Sequence, residues 1–331
     1  LHDVRHDQLT DWLAEKHKSN QVTLQPLTGD AGFRRYFRFQ LNEQSFIAVD
    51  SPTQYCNNKA FVQMSKRLVQ ADILQPEIFY HDNEKGFFCL MDLGDILLAD
   101  VLSPDTVIEY YQRAIDLLPV IAMLPQENLP HYDADFVRME LDIFTQWLLK
   151  EHLDITLSPE ERQSLATCFD CLIDNVLAQP QVVMHRDFHS RNLMCYQQQL
   201  AVIDFQDAVI GPVTYDVVSL LRDCYVKWSD DVVEQALKYF IAHYGKQLTG
   251  ENISTAQWRR WFDLMGIQRH VKAAGIFARL KHRDGKPSYV KDIPLTLHYI
   301  VDVCQHYPEL ASLKQLVIDK VLPLVEHKEA K

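Results

Sequence analysis

The sequence predicts an α+β chain with two lobes, a small antiparallel-sheet lobe followed by a larger helical one. Three observations predict it. Short β-branched and aromatic runs fill about the first hundred residues. Helical periodicity dominates afterwards. A brief β interruption, Val182 to Ile203, then reappears inside the helical part. Strands and helices segregated along a chain argue for an α+β arrangement. The change of pattern at Met91 to Asp95 sets the expected domains at 1–93 and 94–331. A chain of 331 residues is long enough to bury the core that such a division needs.

Element by element, Asp7 to Lys16 opens with Leu9, Trp12 and Leu13 at helical spacing. Val22-Thr23-Leu24, Tyr36 to Phe39 and Phe46 to Val49 read as strands of a meander, with Gly29 to Gly32 and Asn42-Glu43 as turns. A helix from Asn58 to Gln70 and strands at Glu77 to Tyr80 and Gly86 to Met91 complete the first part. Helices are then expected over Ser103–Leu124, Ala134–His152 and Ser158–Ala178. Ser103-Pro104 and Ser158-Pro159 serve as N-cap and first helical residue, and Glu161 completes a capping box with Ser158. The β interruption consists of Val182–Met184, Leu193–Cys195 and Ala201–Ile203, and from Thr214 the pattern is helical again to Glu326.

Composition narrows the function classes. The formal net charge of -12 gives no electrostatic reason to bind nucleic acid. No run of apolar residues is long enough for a transmembrane helix, and Leu1 to Arg5 has neither the basic nor the apolar region of a signal peptide. The cysteines number seven and are scattered; Cys168 and Cys171 form a lone C-x-x-C that reads as two small apolar residues on one helical face. Reduced thiols and a cytoplasmic setting are expected. No protein partner is implied.

The chemistry-bearing segment lies in the β interruption: His185-Arg186-Asp187-Phe188-His189-Ser190-Arg191-Asn192, then Asp204-Phe205-Gln206-Asp207. Phosphoryl transfer asks for a positioned acceptor hydroxyl, metal to neutralise phosphate charge and in-line geometry. Asp187 suits the hydroxyl, as base or orienter. Asn192 and Asp204 offer the hard oxygen ligands that Mg²⁺ takes alongside phosphates and water. The Gln197-Gln198-Gln199 stretch supplies a turn that lets the two intervening strands pair. H-R-D-x-x-x-x-N followed by D-F is the catalytic and metal-binding signature of protein-kinase-like phosphotransferases. Gly29 and Gly32, in a turn between expected strands, suit backbone contact with phosphates or a plain hairpin turn equally. Met91 to Leu93 would be the hinge where backbone groups meet an adenine edge.

These residues resemble the aminoglycoside phosphotransferase and choline kinase superfamily, which is built on the protein-kinase fold. Longer stretches resemble a bacterial family that phosphorylates the C1 hydroxyl of the peptidoglycan amino sugars N-acetylmuramate and N-acetylglucosamine. They are Gly29 to Arg38, His185 to Met194, Val202 to Ala208, Gly211 to Leu220 and Gln268 to Pro287. The resemblance covers nearly the whole chain. It implies ATP between the lobes, Mg²⁺ on Asn192 and Asp204, and a sugar acceptor near Asp187, Arg191 and Asp207. Arg191 reads equally as a structural ion-pair residue. Asp216 would cap its helix or orient the catalytic loop. Arg269, His270 and Arg279 share one helix and could meet a lactyl carboxylate or sugar hydroxyls. An aminoglycoside, choline or another alcohol is the alternative acceptor, and a silent nucleotide-binding protein is the alternative class.

One departure stands out. Ile47-Ala48-Val49-Asp50 puts Asp50 where protein kinases carry a phosphate-holding Lys. Arg34, Arg35 and Lys59 are the candidate cations in its place.

Overall fold

The computed structural model describes residues 3–27 and 32–329. The chain forms helix α1 (Val4–His17), strands β1 (Gln25–Pro26), β2 (Arg35–Leu41) and β3 (Gln44–Asp50), helix α2 (Asn58–Gln70), strands β4 (Ile78–Asp82) and β5 (Phe87–Met91), and the short helix α3 (Leu98–Val101). Helices α4 (Val107–Ile115), α5 (Leu118–Ala122), α6 (Ala134–Ile143) and α7 (Pro159–Leu177) follow, with a π-helical stretch Phe144–His152 after α6. Then come β6 (Gln181–Met184), a single 3-10 turn Ser190–Asn192, β7 (Leu193–Tyr196), β8 (Gln199–Val202), β9 (Val209–Pro212) and α8 (Tyr215–Leu221). Helices α9 (Asp230–Phe240), α10 (Lys246–Thr249), α11 (Thr255–His282) and α12 (Ile293–Cys304) lead to the last helical turns.

Two compact units result. The first holds Leu1–Leu102 with Ser190–Ala208; the second holds Ser103–His189 with Val209–Lys331. The first unit therefore runs past the expected division after Leu93 and reclaims a hairpin from the middle of the helical part.

The first unit is an antiparallel sheet in the order β1-β2-β3-β5-β4. Asn42 and Glu43 take left-handed φ values of 50° and 66°, which makes the two-residue turn that matches strand twist and fixes the register Phe37↔Ala48. Alternation then sorts side chains to two faces. Phe37, Phe39 and Phe87 join Leu9, Trp12 and Leu13 of α1 in one core. Phe88, the next residue, meets Phe61 of α2 edge-on at 5.3 Å. Gly86 is required: at φ 73° an added Cβ would lie 2.0 Å from the Ser51 carbonyl oxygen. The hairpin β7–β8 turns through Gln197 and Gln198, both left-handed, so the expected Gln-rich turn is present. It is tied into this unit by hydrogen bonds from Cys195 N to Ile96 O and from Val202 N to Leu74 O.

The second unit is built around α11. This helix starts on a Ser254 cap and is buried along most of its length. Gly275 lets it approach another backbone, since a Cβ there would lie 2.6 Å from Phe144 N. The Ser158–Glu161 capping box forms at the start of α7. Strands β6 and β9 pair antiparallel, Met184 opposite Val209.

Several expected boundaries move. Val22 and Leu24 are buried but lie outside the sheet; only Gln25–Pro26 pairs, against Phe37–Arg38. The expected helix Ser103–Leu124 is two helices, α4 and α5, because Pro119 lacks an N–H and fits only a restarted first turn. Ser103 sits in a turn before Thr106, which precedes α4. Strand β9 was not expected at all.

Candidate active site

In the second unit, β6 delivers the loop 185–189, and a buried carboxylate fixes its backbone. Asp216, in the first turn of α8, accepts from the N–H groups of His185 at 2.7 Å and Arg186 at 2.9 Å. Of the two roles open to Asp216 in the sequence, this is loop orientation; the helix is entered through Thr214 instead. Burial raises the Asp216 carboxyl, with His185 and the two backbone donors opposing. His185 is itself buried, and its Nδ1 accepts from Asp187 N at 3.2 Å.

Arg186 takes φ 81°, a left-handed value that costs a non-glycine residue of order 1 kcal/mol or more. Its side chain is anchored accordingly. Nη2 donates to Glu140 Oε1 at 2.5 Å, and the guanidinium lies 4.9 Å over the Phe136 ring. Glu140 also accepts from Tyr132 Oη at 2.5 Å and pairs with Lys272 Nζ at 2.9 Å. Lys272 further donates to Tyr215 Oη at 3.0 Å, and Gln268 donates to Tyr132 Oη at 2.7 Å. Burial works to raise the Glu140 carboxyl, but Lys272 and Arg186 outweigh it and hold it below its ordinary range.

This network sets the state of Asp187. Burial again favours the neutral acid, yet the charges of Lys272 and Arg186, with smaller help from His189 and Arg269, hold its pKa at about 2. Asp187 is half-buried and ionised throughout the neutral range. Burial pushes the His189 imidazole down, against the pull of Asp223 and Asp187.

In the first unit, the single turn Ser190–Asn192 carries Arg191, half-buried, and Asn192, buried. Ile203 N donates to Asn192 O at 3.1 Å, adding a rung to the β7–β8 ladder and placing Asp204 directly after it. Asp204 is exposed at φ 60°, in the left-handed region like Arg186. Gln206 Nε2 bridges its carboxylate at 2.7 Å to that of exposed Asp207 at 3.4 Å. Phe205 is buried and stacks on Phe61 at 5.1 Å with 9° between the planes. The Arg34 guanidinium lies over the same Phe61 ring at 5.2 Å, and its Nε donates to Ser51 Oγ at 2.9 Å.

The departure at Asp50 has a structural use. This carboxylate is fully buried and accepts from Arg5 Nε at 2.8 Å and from Arg35 Nη2 at 2.6 Å. Arg35 also pairs with Asp3. Two carboxylates thus occupy Arg35 and remove it from the candidate phosphate cations, while Lys59 is exposed.

Other expected residues fare unevenly. Gly29 lies outside the described residues. An added Cβ at Gly32 would meet only Arg34 N, at 3.9 Å, so the chain's own packing does not require glycine there. Met91 N–H donates to Glu77 O at 2.8 Å, which commits the donor expected to face an adenine edge. Leu93 is buried just beyond β5. The neighbouring Asp92 is bound by Arg38 through Nε at 2.6 Å and by Ser45 Oγ at 2.5 Å. Arg269 is buried in α11, over the Tyr215 ring at 5.2 Å. His270 has no exposed surface: Nε2 donates to Arg222 O at 3.0 Å and the ring stacks on Tyr299 at 4.4 Å. It is a core side chain, which corrects its expected place at an acceptor. Glu140 and Lys272 were not singled out from sequence, although a lone acid between Val137 and Leu141 and a lone lysine between Val271 and Ala274 are charges on apolar helix faces.

Residues 23–260 match the phosphotransferase enzyme family, and the chain belongs to that family. It is similar to the N-acetylmuramate/N-acetylglucosamine kinase of Pseudomonas putida (strain KT2440), 39% identical over 333 residues, 96% of this chain and 97% of that one. The kinase of the same name from Neisseria meningitidis serogroup B is 34% identical over 326 residues, 96% of each chain. Among solved structures, the choline kinase LicA from Streptococcus pneumoniae superposes with a TM-score of 0.64 at 13% identity, covering 89% of this chain and 99% of that one. The ADP-bound aminoglycoside phosphotransferase APH(2'')-Ib gives 0.58 at 15% identity, covering 89% and 98%. At these identities the structures carry the fold, the protein-kinase-like α+β one.

Proposed function

We propose that the chain transfers the γ-phosphoryl group of ATP to the anomeric C1 hydroxyl of N-acetylmuramate and N-acetylglucosamine, within the cytoplasmic recovery of peptidoglycan amino sugars. The observation that carries this reading is 34–40% identity, over most of the chain, to several kinases of that name. No helix among the described residues is long and apolar enough to cross a membrane.

Asp187 faces the acceptor hydroxyl. With a pKa near 2 it is a poor proton acceptor at neutral pH, so its work is to orient the hydroxyl through a charge-assisted hydrogen bond. A loose phosphoryl-transfer transition state asks for little more. Asn192 and Asp204 hold Mg²⁺. Their donors, one amide and one carboxylate on adjoining rungs of one hairpin, are the hard oxygens that this ion takes together with phosphates and water. When bound, the ion neutralises phosphate charge. The first unit, 1–102 with 190–208, serves as the nucleotide lobe, and the second, 103–189 with 209–331, as the catalytic and acceptor lobe. Gly29 and Gly32 border the phosphates, and the segment Met91 to Leu93 borders the base, Met91 through its carbonyl only. The ADP-bound state of the aminoglycoside phosphotransferase supports a nucleotide in this role.

Arg34 takes the part of the absent strand lysine. Its Nε is held by a neutral hydroxyl, and it pairs with no carboxylate among the described residues, unlike Arg35. Its contact with Phe61, which stacks on the residue after Asp204, sets it on the metal-binding hairpin's side of the sheet. Arg191 and Asp207 contact the sugar.

The test is incubation of the purified chain with Mg-ATP and each amino sugar, with the phosphate position read by NMR. Sugar 1-phosphate is expected. Turnover of an aminoglycoside or choline with neither amino sugar would replace the acceptor assignment.

A further inference from the structure

The buried middle of α11 carries four polar side chains, Gln268, Arg269, His270 and Lys272. Gln268 Nε2, His270 Nε2 and Lys272 Nζ each have protein partners. Arg269 differs. It is 7% exposed and its guanidinium lies over the Tyr215 ring, yet Nε and Nη1 are buried with no hydrogen-bond partner among the described residues. Interior donors are almost always satisfied, and a charged one left unpaired is costly. Tyr215 precedes Asp216, the residue that clamps the backbone of His185 and Arg186. Arg269 therefore stands around the same loop as Asp187, and its charge reaches that carboxylate.

We propose that Arg269 binds a carboxylate carried by the acceptor, and so favours an amino sugar with an acidic ether substituent, N-acetylmuramate, over neutral N-acetylglucosamine. This rests on the proposed function and names the side chain that reads the one charged group by which the two sugars differ. Guanidinium–carboxylate pairing is strong, geometrically specific and poorly mimicked by lysine. The neighbouring His270 has no exposed surface to contribute, and Arg279, ten positions further along α11, leaves one buried nitrogen unpartnered where Arg269 leaves two.

The test compares kcat/KM for both sugars in the wild-type chain, Arg269→Met and Arg269→Lys, with calorimetric binding of N-acetylmuramate alongside. Arg269→Met is expected to lose roughly 100-fold on N-acetylmuramate, and at least about tenfold more there than on N-acetylglucosamine. Arg269→Lys should show the same bias, several-fold smaller, and is read alone if the methionine variant does not fold. Equal losses on both sugars would assign Arg269 to the loop or the transferred phosphoryl group and overturn the proposal. A wild-type chain inactive on both sugars overturns the functional reading first, before any substitution is made.

Discussion

Each unit buries an acid among cations, and the two arrangements differ in where the cations sit. In the first unit, Asp50 is sealed, but Arg5 and Arg35 reach it from the surface, with side chains 37% and 40% exposed. In the second, Glu140, Arg186 and Lys272 are 2%, 19% and 10% exposed, so both cations leave water with the acid. Cations that keep contact with solvent can relax outward when their partner is lost. Cations buried with it cannot. The first arrangement ties α1 to the sheet; the second holds a strained loop and keeps Asp187 ionised.

The sharpest test of that second role is Asp187→Asn, which keeps shape and removes the charge. With the charge that orients the acceptor hydroxyl gone, the expected loss in kcat is on the order of 10²-fold, with nucleotide affinity by calorimetry little changed. A fully active variant would end the assignment. Next in size is the direct comparison of the two acids. Glu140→Gln should cost about 3–5 kcal/mol in urea unfolding because two buried cations lose their counter-charge. Asp50→Asn should cost about 1–2 kcal/mol, since its arginines reach water. Equal costs would break the contrast.

The last effect is a slope, which vanishes at neutral pH. Burial depresses the His270 pKa from 6.5 to about 3, so the unfolded chain binds the extra proton and the folded chain does not. This contribution is fully present above pH 6.5 and is lost as pH falls toward 3, at about 1.4 kcal/mol per pH unit. His270→Asn should flatten the fall in stability between pH 6 and 4. An unchanged slope would place the titrating group elsewhere.

What the sequence made legible follows the range of the interactions. The helical spacing of Leu9, Trp12 and Leu13, the Asn42-Glu43 and Gln197-Gln198 turns and the Ser158 capping box are local, and all appear as read. The loop motif was legible because its residues are held a few positions apart. Glu140 was not, because its meaning comes from Arg186, 46 residues away. Asp216 was half legible: its place at a helix start shows, but the backbone donors it faces belong to another element. Arg269 and His270 were inseparable in sequence, since a helix buried on nearly all sides has no polar face to set a phase. Asp50 looked like a missing lysine, and its arginines at positions 5 and 35 showed no pattern that named their partner.

The hairpin Leu193–Val202 has a practical consequence for anyone cutting the gene. A fragment ending after Leu102 would leave Leu74 and Ile96 without the backbone partners that residues 195 and 202 provide. It would also carry neither of the oxygen ligands proposed for magnesium. Exchanging the sheet-bearing portion between relatives thus takes three junctions, after Leu102 and on either side of 190–208, and a chimera joined only after Leu102 would take the hairpin with its proposed magnesium ligands from one parent and its anchors Leu74 and Ile96 from the other.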